Sequence, residues 1–420
     1  MNTKNVNANF QMILETIRVI VGILFVFSGM VKCIDPIGGA IKIEDYFVAW
    51  GLTDIPMAVC ITLSVIQNIL EFIVGFALVT KIYVPLASLG ALIFMAFFTP
   101  LTLYIAVAEP VSDCGCFGDA VKISNWQTFY KNLLFLPLTI LLYIFRGNFK
   151  IQLKRWKKAE ILICGLVIGF LTMVKGLTDE PLIDFRPYSV GTNISEAMSI
   201  PEDAPQAEYK TTFILQKNGI YEEFDEHNYP YNDTTWVYVD THTEVINEGY
   251  VPPIKDFTLI DRYGEVVTDD LLNTDEQLVL IVSPKLNEVD EQEIAKVAHL
   301  KDVCDKNDLR MYILTASTVE NQQAFSLEAK HDFEYLQGDE TMLKTIVRAK
   351  AGVIVMQRGN IVAKYHINHI PLDRDWKNPA ATYLRNINQS SEQYLIICII
   401  FALALVVTNA MGKNSIHKTL

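Results

Sequence analysis

The sequence predicts an α-helical membrane bundle of about six transmembrane helices, joined to an α/β domain outside the membrane that carries a small β-rich insertion. Several apolar runs, each long enough to cross a bilayer, occur in a chain of 420 residues that is 51% hydrophobic. Acidic residues are concentrated between 178 and 392, where 38 acidic residues accompany 19 basic ones, whereas the rest of the chain holds 10 and 16. The two parts therefore face different surroundings.

The first 150 residues form the predicted bundle. A polar start precedes the first apolar run, which is not a cleaved signal peptide because more spans follow it. The segment 35–54 is amphipathic and ends in Tyr46, Phe47 and Trp50, which is typical of a helix lying in the membrane interface. Ser124 and Asn125 read as a helix N-cap before the fourth span. The predicted spans of the bundle are 10–31, 55–80, 83–107 and 126–145.

The segment 146–158 sets the predicted orientation, because it holds six lysines and arginines and no acidic residue, as cytoplasmic loops do. In the segment 151–177, a fifth span at 159–174 then crosses outward. In the segment 392–420, a last span at 395–410 crosses back. We therefore expect a multi-pass protein of the bacterial inner membrane, with residues 178–391 in the periplasm.

The outer part divides into two predicted units, a β-rich segment at 178–251 and an α/β domain at 252–391. The α/β domain shows strands at 278–282 and 311–314, helices at 290–306 and 319–330, and a hairpin at 352–356 and 361–365. This is the element order of a thioredoxin fold. The domain lacks the Cys-x-x-Cys pair, because Ser283-Pro284-Lys285-Leu286 follows its first strand. We expect a redox-inactive docking or scaffolding module in which Cys304 is a buried structural thiol.

The segment Asp113-Cys114-Gly115-Cys116-Phe117-Gly118-Asp119 is the predicted site of chemistry. Gly115 allows the tight turn that two cysteines so close together need, and the strained ring they would form is easily reduced. Redox cycling is therefore favoured over a metal site or an idle thiol pair. The following helix N-terminus and Lys131 favour a thiolate, whereas Asp113 and Asp119 raise the thiol pKa. Lys131 can equally be an interfacial anchor.

Four further residues of the bundle are candidates. Arg18 and Glu71 are predicted at similar depth in the first two spans, where an ion pair between them is favoured over proton conduction or lipid contact. Cys33 and Cys60 lie toward the same outer side and could form a second redox pair, although packing is the simpler explanation. Since all seven histidines lie outside the bundle, haem or zinc there is not expected. No basic patch interleaved with aromatic residues indicates nucleic acid.

Residues 12–145 resemble the MauE/DoxX group of redox-associated membrane proteins, in the form that carries a C-terminal extracytoplasmic thioredoxin-like domain. The resemblance implies a four-helix bundle and a role in disulfide formation or maturation of periplasmic partners, as in methylamine utilisation. The layout is also similar to vitamin K epoxide reductase, which implies a membrane quinone as cofactor. The alternative function is a non-enzymatic membrane scaffold with a structural Cys-Gly-Cys. The resemblance rests on Arg18, Gly22, 25–29, Lys32, Asp35, Pro36, Glu71, Gly75, 113–119, Lys131 and Asn132.

Overall fold

The computed structural model describes residues 7–111, 113–247, 249–372 and 376–383. Six helices come first, and they coincide with the five predicted helical spans of this part and with the amphipathic segment. Ser124 caps the fifth helix through a capping box with Gln127, as its sequence predicts. The helices are α1 (Ala8–Ile34), α2 (Pro36–Ala49), α3 (Met57–Val79), α4 (Val84–Ala108), α5 (Asn125–Ile144) and α6 (Arg155–Thr178).

Among the described residues, four helices are long and apolar enough to cross a membrane: α1, α3, α4 and α6. These helices place the protein in a lipid bilayer. The predicted count of six is not confirmed. The predicted fourth span corresponds to α5, whose first two turns carry polar residues such as Lys131 and Asn132. The predicted span at 395–410 lies outside the described residues.

Helices α1 and α3 pack closely because glycines remove side chains from their contact. A Cβ on Gly29 would lie 2.4 Å from the backbone nitrogen of Phe72, and one on Gly75 would lie 2.4 Å from that of Val26. Residues 29 and 26 of α1 therefore face residues 72 and 75 of α3, so the two helices are antiparallel.

Helix α6 runs parallel to α1, because Gly165 faces Phe76 of α3 and Gly176 faces the carbonyl oxygen of Ile34 at the end of α1. The chain therefore leaves α6 at the end of the bundle where α1 ends. The segment that follows is fixed by buried charges. Arg186 contacts Asp184 and Glu180, each at 2.6 Å, and Lys364 contacts Asp184 at 2.8 Å.

Two sheets follow in the chain. The first is antiparallel, in the order β2-β1-β3, with β1 at its centre, and it lies within the segment 178–251 that the sequence predicts to be β-rich. A short helix, α7, precedes this sheet and another, α8, follows it. The elements are α7 (Ile194–Met198), β1 (Glu208–Lys217), β2 (Ile220–Phe224), β3 (Val237–Asn247) and α8 (Thr268–Asn273).

The second sheet has five strands in the order β6-β5-β4-β7-β8, with β4, β5 and β6 parallel and β7 antiparallel to both β4 and β8. Strand β4 is buried along its whole length, as the central strand of a covered sheet should be. Cys304 is buried in the core on one face. The elements are β4 (Leu278–Val282), α9 (Glu291–Lys306), β5 (Arg310–Thr315), α10 (Val319–Ala329), β6 (Glu334–Gln337), α11 (Glu340–Ile346), β7 (Gly352–Gln357) and β8 (Asn360–His366).

Candidate functional site

The Cys114–Cys116 loop connects α4 to α5 and folds over the end of the bundle where α1 ends. Gly115 and Gly118 both have positive φ, +66° and +53°, which non-glycine residues rarely adopt. The amide of Gly118 donates to the carbonyl of Gly115 at 3.1 Å and closes a tight turn. The turn brings both cysteine side chains to the same side, as the sequence around Gly115 predicts.

The Sγ atoms of Cys114 and Cys116 lie 3.1 Å apart as free thiols, and both residues are half-buried. A hydrogen bond from the Cys114 thiol holds the pKa of Cys116 below its ordinary value, although burial opposes this. The same hydrogen bond, together with burial, raises the pKa of Cys114. Cys116 is therefore the thiol of the pair that ionises first, and Cys114 keeps its proton.

Two lysines also lower the pKa of Cys116, Lys131 from α5 and Lys32 from α1. The Lys131 Nζ lies 4.2 Å from the centre of the Phe117 ring, so its stem passes beside the loop and its charge stays near the thiols. Lys131 was a candidate from sequence. Lys32 was not, although the family resemblance already included it, because its position at the end of a span does not show that it faces the loop.

Asp113 and Asp119, which were expected to raise the thiol pKa, are each paired with a cation. The Asp113 carboxylate accepts a hydrogen bond from the amide of Gly115 at 3.0 Å and contacts Lys42 of α2, also at 3.0 Å. The Asp119 carboxylate contacts Arg348 at 2.7 Å. The acids therefore anchor the two ends of the loop, and their charges are largely compensated there.

Two side chains of the bundle hold the cysteine backbone itself. The hydroxyl of Ser28 donates to the carbonyl of Cys116 at 2.7 Å, and the hydroxyl of Tyr46 donates to the carbonyl of Cys114 at 3.0 Å. Burial raises the pKa of Tyr46, and the neighbouring Cys114 raises it further, so the phenol stays a donor at neutral pH. The sequence pointed to Tyr46 only as an interfacial aromatic residue.

The thiols line a cleft of about 1440 Å³ that runs from the loop along the helices. Its wall near the loop is polar, with Lys32, Glu71 and Asn132. Its deeper wall is apolar and includes Phe94 and Phe98. Residues of the α/β domain border the same cleft on the other side of the loop. The arrangement leaves room for a molecule to approach Cys116 beside a set of charged groups.

The predicted ion pair between Arg18 and Glu71 is absent, because the two residues lie at different levels of the bundle. In the antiparallel α1–α3 pair, Glu71 stands beside residue 29 of α1, about 16 Å along the helix from Arg18. Glu71 pairs instead with Lys32, Nζ to Oε2 2.9 Å. Arg18 contacts Glu15 at 2.8 Å and donates to the carbonyls of Leu78 and Val79 at the other end of α3. The sequence-based prediction of similar depth in the membrane was wrong because it placed Glu71 near the same end of the bundle as Arg18.

Cys33 and Cys60 are both buried free thiols with different surroundings. Cys33 packs with Phe72 and Met173. Cys60 lies in the first turn of α3, within electrostatic range of Glu44 in α2. The second redox pair therefore stays a prediction.

Comparison with known families gives two matches. Residues 10–145, which contain α1 to α5 and the cysteine loop, match the family model described as methylamine utilisation protein MauE. Residues 209–248, a range that covers nearly all of the three-stranded sheet, match a model described as a domain of unknown function, DUF8463. No curated protein matches the chain.

Proposed function

We propose that the protein exchanges thiols and disulfides through Cys114 and Cys116. The match of residues 10–145 to the MauE family model supports this, because those residues include the thiol pair. The protein's clients are periplasmic proteins whose disulfides must be formed or rearranged. The observation that carries this proposal is the thiol pair itself, with sulfurs 3.1 Å apart at the edge of an open cleft. A pair so placed can close a disulfide without a large movement of the backbone.

The pKa difference within the pair assigns two roles. The Cys116 thiolate attacks a client disulfide, a mixed disulfide forms, and one client sulfur leaves as a thiolate. Cys114 then loses its proton and attacks the Cys116 sulfur, which closes the intramolecular disulfide and releases the second client thiolate. The client is reduced and the protein is oxidised by two electrons. The same steps in reverse oxidise a client dithiol, and they restore the two thiols.

A membrane quinone is the proposed partner for renewing the disulfide. The cleft suits such a molecule, because apolar side chains such as Phe94 and Phe98 line its deeper part while Lys32 and Asn132 stand near the thiols. A bound quinone supplies an acceptor for two electrons and two protons. Lys32 and Asn132 are the polar groups that would orient its head within the cleft.

We also propose that the loop and the domain after α6 both face the periplasm from the inner membrane. The charge of the segment 146–158 supports this orientation, because that segment lies at the opposite end of α5 from the cysteine loop. The strand order around β4 supports a thioredoxin-like relative, with β4 and β5 parallel and β7 and β8 as a hairpin. Such a domain, lacking its own cysteine pair, would recruit a client to the cleft it borders.

The alternative is a scaffold without redox activity, in which Cys114 and Cys116 only brace the loop. The ion pairs that join the α/β domain to the bundle favour this candidate, since they make one assembly of two parts. The two functions predict different behaviour of the thiols during growth. In a scaffold, their redox state is constant, whereas in an exchanger it follows the supply of clients and oxidant.

Trapping of a mixed disulfide tests the proposal. A Cys114→Ser variant keeps a hydroxyl donor beside Cys116 but cannot resolve the intermediate, so we expect it to accumulate disulfide-linked partners on Cys116. Cys116→Ser is the matched control and should trap far less, because burial still raises the pKa of the remaining Cys114 thiol once the Cys116 sulfur is gone. If neither variant captures a partner, and maleimide labelling of the wild-type thiols is the same in oxidising and reducing growth, the exchange function is wrong.

A further inference from the structure

Arg348 follows α11 in the α/β domain, and its guanidinium bonds with all three of its nitrogens. Nε lies 3.0 Å from Asp35, Nη2 lies 2.7 Å from Asp119, and Nη1 donates to the carbonyl of Lys344 at 2.8 Å. Asp35 ends α1 and caps α2, where its other oxygen accepts from the amide of Gly38. Asp119 ends the cysteine loop. One side chain of the α/β domain therefore joins the loop to the bundle.

The burial of this contact sets it apart from an ordinary surface ion pair. The Arg348 side chain is 8% exposed. Loss of either carboxylate would leave part of a buried charge without a partner, which strongly destabilises the folded protein. Burial alone would raise the pKa of Asp35, but Arg348 and Arg186 hold it below the ordinary value. The absence of a side chain at Gly38 gives the guanidinium its place, since a Cβ there would lie 3.1 Å from Nη2.

A second ion pair joins the same two parts of the protein without touching the loop. Lys344 of α11 lies 3.2 Å from Glu44 of α2, and both side chains are about one quarter exposed. Docking of the domain can therefore be weakened at Lys344 while Asp119 keeps its partner. This allows docking and loop positioning to be separated by experiment.

We propose that Arg348 is a positioning residue for the thiol pair: through Asp119 it holds the cysteine loop against the bundle, and so fixes where the Cys116 sulfur lies relative to Lys131 and Lys32. The domain without cysteines thus controls the reactivity of those in the membrane domain. This role deepens the proposed exchange function and gives the α/β domain a part in it beyond recruitment.

Loss of the Arg348 contact would release Asp119 and raise the pKa of Cys116 in two ways. The loop end that follows Cys116 would be free to move away from Lys131, and an uncompensated carboxylate would remain near the thiols. Both changes disfavour the thiolate. The ionisable groups facing the pair are Lys32 on α1, Tyr46 and Lys42 on α2, Glu71 on α3, Lys131 on α5, and Asp113 and Asp119 in the loop.

The test is the pH dependence of iodoacetamide alkylation at Cys116, measured on the full chain in lipid nanodiscs, with the modified sulfur identified by fragmentation mass spectrometry. Arg348→Met should move the midpoint upward by about one pH unit. Asp119→Asn cuts the same contact from the loop side but leaves no carboxylate near the thiols, so it should raise the midpoint by less than Arg348→Met, through the loss of position alone. The Arg348→Met/Asp119→Asn double variant should shift it no further than Arg348→Met. Lys344→Met should leave it at the wild-type value.

Two results would overturn the role of Arg348. One is a wild-type midpoint in both Arg348→Met and Asp119→Asn, and the other is an equal shift in Lys344→Met, which would assign the effect to docking. Alkylation needs no client, so its outcome is independent of the exchange function. A failure to trap partners in Cys114→Ser with the expected midpoint shifts would reject the exchange function and keep the positioning role.

Discussion

The buried ion pair between Lys32 and Glu71 permits a quantitative prediction. Its Nζ–Oε2 distance is 2.9 Å, and the two side chains are 9% and 10% exposed. Lys32→Met leaves the Glu71 carboxylate buried without a cation, and breaking a buried pair in this way costs about 3–5 kcal/mol. In the Lys32→Met/Glu71→Gln double variant no charge remains, so we expect most of that loss to be recovered.

The same pair of variants should report on the thiol. Lys32 lowers the pKa of Cys116, whereas Glu71 raises it. Lys32→Met should therefore raise the pKa of Cys116, and the double variant should raise it by less. Stability is measured by reversible denaturation in detergent micelles, and the thiol by the pH midpoint of alkylation. A loss of unfolding free energy below about 1 kcal/mol in the single variant, or an equal loss in the double variant, would refute the reasoning. An uncompensated buried charge destabilises a folded protein by more than that.

Three further predictions concern other parts of the chain. Gly75→Leu should destabilise the bundle by about 1–3 kcal/mol in the same denaturation assay, because even a Cβ at this position would lie 2.4 Å from the backbone nitrogen of Val26. Unchanged stability would contradict the close helix contact. Cys304, whose pKa burial raises to about 12, should react with maleimide only after denaturation, and labelling of the folded protein would argue against its buried position. Folding lowers the pKa of Asp35, so its contribution to stability is full above its ordinary pKa and is lost as the pH falls through the folded value. Asp35→Asn should therefore make the unfolding free energy depend less on pH in the acid range. An unaltered pH dependence would contradict the role of Asp35.

The local parts of the fold could be predicted from sequence because they depend on neighbouring residues. Apolar runs gave α1, α3, α4 and α6, and the alternation of strands and helices gave the buried strand β4 with α9 after it. The edge strand β6 was missed, because Glu334–Gln337 is short and has an apolar pattern too brief to distinguish it from a loop. The turn at Cys114 and Cys116 was predicted for a similar local reason, since Gly115 between them permits a positive φ.

The sequence by itself determined that two thiols lie in a polar loop between membrane helices, since composition and spacing decide this within a few residues. Only the tertiary structure decided which charges meet them. Lys32 rather than Arg18 pairs with Glu71, because the offset of α1 against α3 is set by glycine contacts between the helices. Arg348 reaches Asp119 across 229 positions of the chain. The sequence does not show which charged residues will pair when they belong to separate elements, because that pairing depends on how those elements pack in three dimensions.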